Sequence, residues 1–199
     1  MRRRRFVVHG LGVGLSLLAL AGCGPSPASK FYLLSATATP GGAATAHYAV
    51  VVGPVTIPAA VDRPQLVLQV APQQVSLDEF SRWVAPLQDE IGRTVAADLA
   101  ALLGSTRVTS SPLPNFDASF RVTIDVQRFE SIPGDAAVIE ALWAVRSSAG
   151  RPARTGRTLA REEVETADVD ALVAAHSRAL GVVSGDIARA IRAAASAGD

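Results

Sequence analysis

This chain of 199 residues contains one cysteine, Cys23, so no disulfide within it can staple a fold. Whatever domain forms must hold together by an ordinary packed core. The residues ahead of Cys23 do not belong to that core. Arg2 to Arg5 form a positive start, Phe6 to Ala21 form an apolar run thinned by Gly10, Gly12 and Gly14, and the small residue Gly22 precedes the cysteine. An apolar stretch this short fits the middle of an export signal rather than a membrane-spanning helix.

Leu20-Ala21-Gly22-Cys23 resembles the lipobox of bacterial lipoproteins, in which the cysteine thiol is diacylated and becomes the new N-terminus after cleavage. The resemblance implies lipidation at Cys23. Residue 24 is Gly rather than Asp, and by the sorting rule of Gram-negative lipoproteins this implies the periplasmic leaflet of the outer membrane. Arg3-Arg4-Arg5-Phe6-Val7 fits either a general-secretion signal with a generous basic run or a twin-arginine signal.

Cleavage before Cys23 leaves 177 residues (199 minus 22), enough for one domain with a sizeable core. Four of the 19 basic residues lie in the signal. The mature part therefore carries 15 Lys+Arg against 18 Asp+Glu, a formal charge of −3. A mildly acidic domain has no electrostatic footprint for nucleic acid. The expected organisation is a signal over 1–22, a lipidated cysteine and Pro/Ser/Gly-rich tether over 23–30, and a domain over 31–199.

Along that domain, Phe31 to Leu34 reads as a strand, and Thr37 to Thr45 as a loop. Tyr48 to Ile57 reads as a β-branched strand broken at Gly53-Pro54, where the proline marks an edge or a bulge. Pro58 to Pro64 reads as a turn, and Gln65 to Val70 as a further strand. From Pro86 to Leu103 the period becomes helical: Leu87, Ile91, Val95, Leu99 and Leu102 form a stripe, with Asp89, Glu90, Arg93 and Asp98 mostly off it. Pro86 suits the first turn, and Gly104 the C-terminal cap.

Phe120, Val122, Ile124 and Val126 then alternate with polar residues. Phe129 falls one residue out of register, which marks a bulge or the strand's end. Strands follow over Ala137 to Arg146 and Thr155 to Val164. A second helix over Asp168 to Ala195 carries a stripe from Val169 to Ile191 and is capped by Thr166 or Asp168. This order predicts an α+β single domain, a largely antiparallel sheet with two amphipathic helices packed on one face.

No chemistry-bearing constellation emerges. His47 and His176 lie far apart, and His176 sits on the apolar stripe of the last helix, where a histidine is a core-edge residue. The pairs Asp78-Glu79, Asp89-Glu90 and Glu162-Glu163 read as solvated faces or helix-start charges. No phosphate-cradling loop, metal spacing or nucleophile elbow occurs, so the expectation is a non-enzyme with no cofactor and no metal. Arg82-Trp83, just before the proline-started helix, is either a staple under the helix entrance or a partner-contact anchor.

Tyr32-Leu33-Leu34, Val52-Gly53-Pro54-Val55 with Pro58, Asp62-Arg63-Pro64-Gln65-Leu66-Val67, and Arg82-Trp83 with Pro86-Leu87 follow one another in an order and spacing that resembles the ABC-type transport auxiliary lipoprotein family. Val84 departs from the alanine expected there, conservatively. The resemblance implies a non-catalytic subunit that accompanies an inner-membrane ABC transporter and a periplasm-spanning MCE-domain protein moving lipid between membranes. It also implies docking at the outer-membrane end, as a possible homo-oligomeric ring. Pro54, Val55, Pro58, Arg63 and Trp83 are the candidate partner-binding residues, since a proline-broken strand edge stays open to a partner. A general envelope structural lipoprotein and a lipoprotein binding a small apolar ligand are the competing readings.

Overall fold

The alternating run that begins at Phe120 forms the spine of the sheet, because it is long enough to pair along its whole length with the strand that follows. The computed structural model describes residues 28–40 and 48–196. In chain order the elements are β1 (Lys30–Tyr32), β2 (Val50–Thr56), β3 (Gln65–Ala71), β4 (Gln74–Trp83), α1 (Leu87–Leu103), β5 (Val108–Thr109), β6 (Phe120–Ile132), β7 (Ala136–Ser147), β8 (Arg154–Glu163) and α2 (Val169–Ser196). They make an α+β domain with α1 against β2, α2 against β7 and β8, and the two helices against each other.

The sheet is mixed, which corrects the expectation of a largely antiparallel one. The meander β6–β7–β8 and the hairpin β3–β4 are antiparallel, as short connections require. The pairings β1 with β4, β2 with β5, β2 with β6 and β3 with β6 are parallel. For β2 and β3 against β5 and β6 the crossover that parallel neighbours need is α1, which lies between them in sequence, whereas β1 reaches β4 across β2 and β3. In the expected order this helix simply lay over one face of a meander.

Each irregular position in the strands has a local cause. The register of β2 on β6 shifts between Val52 and Val55, so Pro54 sits in a bulge, and the Gly53–Pro54 peptide is cis. Among the described residues, the other side of β2 beyond Val51 has no strand partner, because β5 pairs only with Val50 and Val51. Both readings of the proline therefore hold in part. On β6 the register shifts between Val126 and Arg128, and this turns Phe129 back into the core. Strand β4 was not expected from the sequence. Its alternation is interrupted by a wide bulge in which Gln65 pairs with Arg82 and Leu66 with Asp78. The Asp78 carboxylate holds that bulge by accepting the N–H groups of Phe80 and Ser81 at 3.0 Å each.

Both helices carry the expected caps. Pro86 sits just outside α1, its carbonyl accepting from Asp89 and Glu90, and Gly104 ends the helix in the left-handed region at φ 62°. The bonds Gly104 N–H to Ala101 and Ser105 N–H to Ala100 make this a Schellman ending. At the start of α2, Asp168 caps the Ala171 N–H at 2.8 Å and itself accepts from the Thr166 hydroxyl, so both candidate residues take part. The α1 stripe holds through Leu87, Ile91, Val95 and Leu99, but closes on Leu103 rather than Leu102.

Glu90 and Asp98 depart from expectation, because both are buried. Glu90 accepts the Leu34 N–H at 3.1 Å and pairs with Arg93 at 2.5 Å, while Arg93 also donates to the Leu34 carbonyl at 2.9 Å. Asp98 accepts the Thr37 and Ala38 N–H groups at 2.9 Å each and the Ser184 hydroxyl at 3.2 Å. Across the groove, Ser177 of α2 accepts the Ser35 N–H at 3.2 Å and receives the Thr37 hydroxyl on its carbonyl at 3.3 Å. The segment after β1 is thus tied to both helices by polar groups. A Cβ on Gly181 would lie 2.5 Å from the Thr37 hydroxyl oxygen, so glycine is what lets the segment approach α2.

Another buried polar residue, His176, lies fully inside. Its ring stacks on Phe129 at 4.0 Å and 6°, its Nε2 is 2.8 Å from the Ser131 hydroxyl, and Phe129 meets Trp83 edge-on at 6.1 Å. Burial pushes its pKa down to about 3.

Two predictions follow from these contacts. Replacing Asp98→Ala strands two backbone N–H groups and should lower stability by about 1–3 kcal/mol, whereas Asp98→Asn keeps an acceptor and should lose less. Urea midpoints of the two variants, with limited proteolysis across 33–40, check this. His176 is neutral when folded, while the unfolded chain takes up a proton near pH 6.5. Stability attributable to this group is therefore full above about 6.5 and is lost as pH falls towards 3. In urea titrations between those pH values, wild type should weaken more steeply than His176→Phe, which keeps the stack and cannot titrate.

Candidate functional site

The start of α1 is where the candidate residues collect, because three chain segments must converge to let a proline-led helix leave the sheet. Trp83 ends β4 and is 6% exposed. Its indole packs inward on Phe129, and its backbone N–H donates to the Pro64 carbonyl at 2.8 Å, fixing the turn that carries Arg63. Packing under the helix entrance is thus the role its contacts support. Arg63 itself is exposed. Asp62, Arg63, Pro64 and residues 83–87 surround a recess of about 390 Å³.

A second groove, of about 760 Å³, lies on the other side of Ala85, which lines both. Its walls are the bulged part of β2 with Pro54 and Val55, the first turns of α1, and Ser110 with Ser111. Pro54 is exposed; Val55 is half-buried and packs on the core against Gly92. A Cβ on Gly92 would lie in ordinary van der Waals contact with Val55 and Ser110, at 3.5 and 3.6 Å, so α1 packs closely on this strand. Asp89 and Arg93 give the groove wall mixed charge.

Pro58 does not join these two grooves. It lines a separate recess of about 310 Å³ beneath the β3–β4 hairpin, with Val61, Val67, Val75 and the bulged part of β6. Four of the five candidates, Pro54, Val55, Arg63 and Trp83, therefore share one continuous relief, and Pro58 faces another. Cys23 lies outside the described residues.

What this relief offers chemically is a surface that can bind. It offers apolar walls, charges of both signs and an unpaired strand side, the means by which a partner segment is held. Among the described residues no group of three His, Cys, Asp or Glu gathers closely enough to hold a metal ion, and no helix is long and apolar enough to cross a membrane.

Sequence reasoning missed the buried pair Glu90 and Asp98, which position the chain entering this region. Asp98 falls beside the stripe residues Val95 and Leu99, where a covered charge must have hydrogen-bond partners, but the sequence does not mark whether it is covered.

Several solved structures have this fold, two of them as follows. One, of an uncharacterized protein, matches with a TM-score of 0.68 at 20% identity over 83% of this chain and 99% of its own. The other, a Xanthomonas campestris protein assigned to the family model DUF330, matches at 0.69 and 19% over 85% of this chain and 100% of its own. No curated protein matches the sequence significantly. The family model described as the ABC-type transport auxiliary lipoprotein component matches residues 32–188, from the first strand through most of the last helix. The chain belongs to that family of auxiliary lipoproteins.

Proposed function

We propose that this protein is a PqiC-like, non-catalytic subunit of an ABC/MCE-type lipid transport system. It is lipidated at Cys23 and held on the periplasmic leaflet of the outer membrane. The observation that carries the reading is the family match over 32–188, a family of transport auxiliaries anchored by lipid. The Leu20-to-Cys23 lipobox supplies the anchor, and Gly24 in place of aspartate supplies the outer-membrane destination. Diacylation with a further acyl chain holds a protein far more firmly than one chain does, since each buried CH₂ adds about 0.8 kcal/mol.

In this reading the MCE-domain protein docks where β2 and the start of α1 expose their relief. The partner's segment lies along the open side of β2 near Pro54 and Val55 and reaches the recess beside Arg63. A ring of several copies around one MCE conduit would repeat the same contact. The domain does no chemistry on the lipid. It holds the end of the conduit against the membrane in which it is anchored.

Two measurements test this. Replacing Cys23→Ser should leave the precursor unprocessed or release a soluble periplasmic form, and palmitate labelling should disappear. A Cys23→Ser protein that remains in the membrane fraction at mature size would overturn the anchor. For docking, Arg63→Glu alters an exposed side chain away from the core and should leave the melting temperature within about 1–2 °C of wild type. Affinity capture from crosslinked envelopes should then recover the MCE protein with wild type, and several-fold less with Arg63→Glu. Equal recovery would remove this surface.

A further inference from the structure

Strand β1 is only three residues long, yet it continues an alternation that β4 begins. Phe31 pairs with Arg82 and Tyr32 with Trp83, and the Val84 N–H bonds the Tyr32 carbonyl at 2.9 Å. Ser81, Trp83 and Leu34 point inward and are buried. The opposite face therefore carries Phe31, Leu33, Phe80 and Val84 around Arg82. These four apolar side chains are 65%, 52%, 44% and 56% exposed. Strand edges are ordinarily protected by charge, and a cluster of large apolar side chains at one is a mark of an interaction surface.

The chain itself says what covers this face. Lys30 is the first residue of β1, and the residues from Cys23 to Lys30 span at most about 25 Å when fully extended. The lipid anchor thus lies within about 25 Å of the start of β1, on the side of the domain where Phe31 is. Arg82, which pairs with Phe31, stands within the apolar cluster with a cationic head on a flexible apolar stem, the arrangement that places charge at phosphates and apolar body beneath them. We propose that the outward face of β1 and the end of β4, formed by Phe31, Leu33, Phe80 and Val84, rests in the headgroup interface of the membrane that holds the anchor. The proposal rests on the acylation of Cys23 and deepens it. The lipid does not merely tether the domain; a built apolar face fixes which side of the domain meets the bilayer. The β2–α1 relief, which adjoins this face through residues 84–87, then lies close to the membrane surface.

The chain's lone cysteine makes the test direct, because an added thiol is the sole one available once Cys23 carries lipid. Full-length acylated Phe80→Cys, Val84→Cys and Leu159→Cys proteins are labelled with a polarity-sensitive dye. They are then placed in vesicles of phosphatidylethanolamine and phosphatidylglycerol with or without spin-labelled lipid. Leu159 is an exposed apolar residue of β8, an edge strand of the β6–β7–β8 meander, and serves as the control. Labels at 80 and 84 should shift to the blue in vesicles and lose intensity to the spin-labelled lipid, while the label at 159 does neither. Labels at 80 and 84 as wet as at 159 would overturn the proposal. So would a blue shift that grows with protein density and is untouched by spin-labelled lipid, which would mean that a second copy covers the face. Mass spectrometry of the same samples separates the premises. An unmodified Cys23 removes the anchor reading and this face with it, whereas acylated chains with wet labels remove the face alone.

Discussion

Two carboxylates eight residues apart on one helix decide how the N-terminal segment enters the domain. Glu90 and Asp98 are separated along α1 by about 12 Å of helical rise. The chain they bind, from Leu34 to Ala38, covers about 13 Å when extended. The two spacings match, so the segment runs alongside the helix and meets a carboxylate at each end of its path. Ser177 and Gly181 of α2 close the other side, one by accepting a hydrogen bond and one by the absence of a side chain. Without this clamp, β1 would have no fixed continuation. Three residues paired to a single neighbouring strand do not hold themselves.

The clamp places charge where water is scarce, and the cost is visible. Burial raises the Asp98 carboxyl above the usual carboxylate range, and the N–H groups of Ala38 and Thr37 and the Ser184 hydroxyl oppose that rise. A buried acid with three donors is a specific device: it accepts one conformation of one segment and penalises every other. His176 follows a different logic. It is inserted as an aromatic plate, joined to Phe129 and through it to Trp83, so that α2, β6 and the end of β4 share one stack. An apolar side chain could fill the space, but the Ser131 hydroxyl beneath it would lose its partner.

These two features also separate what was legible in the sequence from what was not. The helices were legible because their stripes repeat over many turns, and β6 to β8 because their alternation or their turns are clear. Pairing direction was not legible: whether β2 lies parallel to β6 depends on a partner about seventy residues away in the chain, and no local pattern encodes it. Strand β4 escaped because Asp78 holds a bulge that breaks the period of two. Glu90 and Asp98 read as solvated because a charge beside a stripe looks the same whether water or a backbone N–H meets it. Around the candidate site, Pro54 and Arg63 were singled out as candidates by turn chemistry and by family likeness. The apolar face of Phe31 and Phe80 was not found, since its members come from two strands that meet only in the fold.

The end of β4 performs opposite tasks on its two faces within five residues. Ser81 and Trp83 turn inward, and Trp83 anchors both the Arg63 turn and the aromatic stack. Phe80 and Val84 turn outward, against the membrane in our proposal. A strand does this without cost because successive side chains point to opposite faces. The consequence is mechanical. The outward face cannot tilt without moving Trp83, and Trp83 cannot move without disturbing Phe129, His176 and the α1 entrance. Anchor-side contact, helix start and partner relief are thereby set on one rigid piece. The role we propose, a docking subunit at the end of a conduit, needs that property more than it needs chemistry.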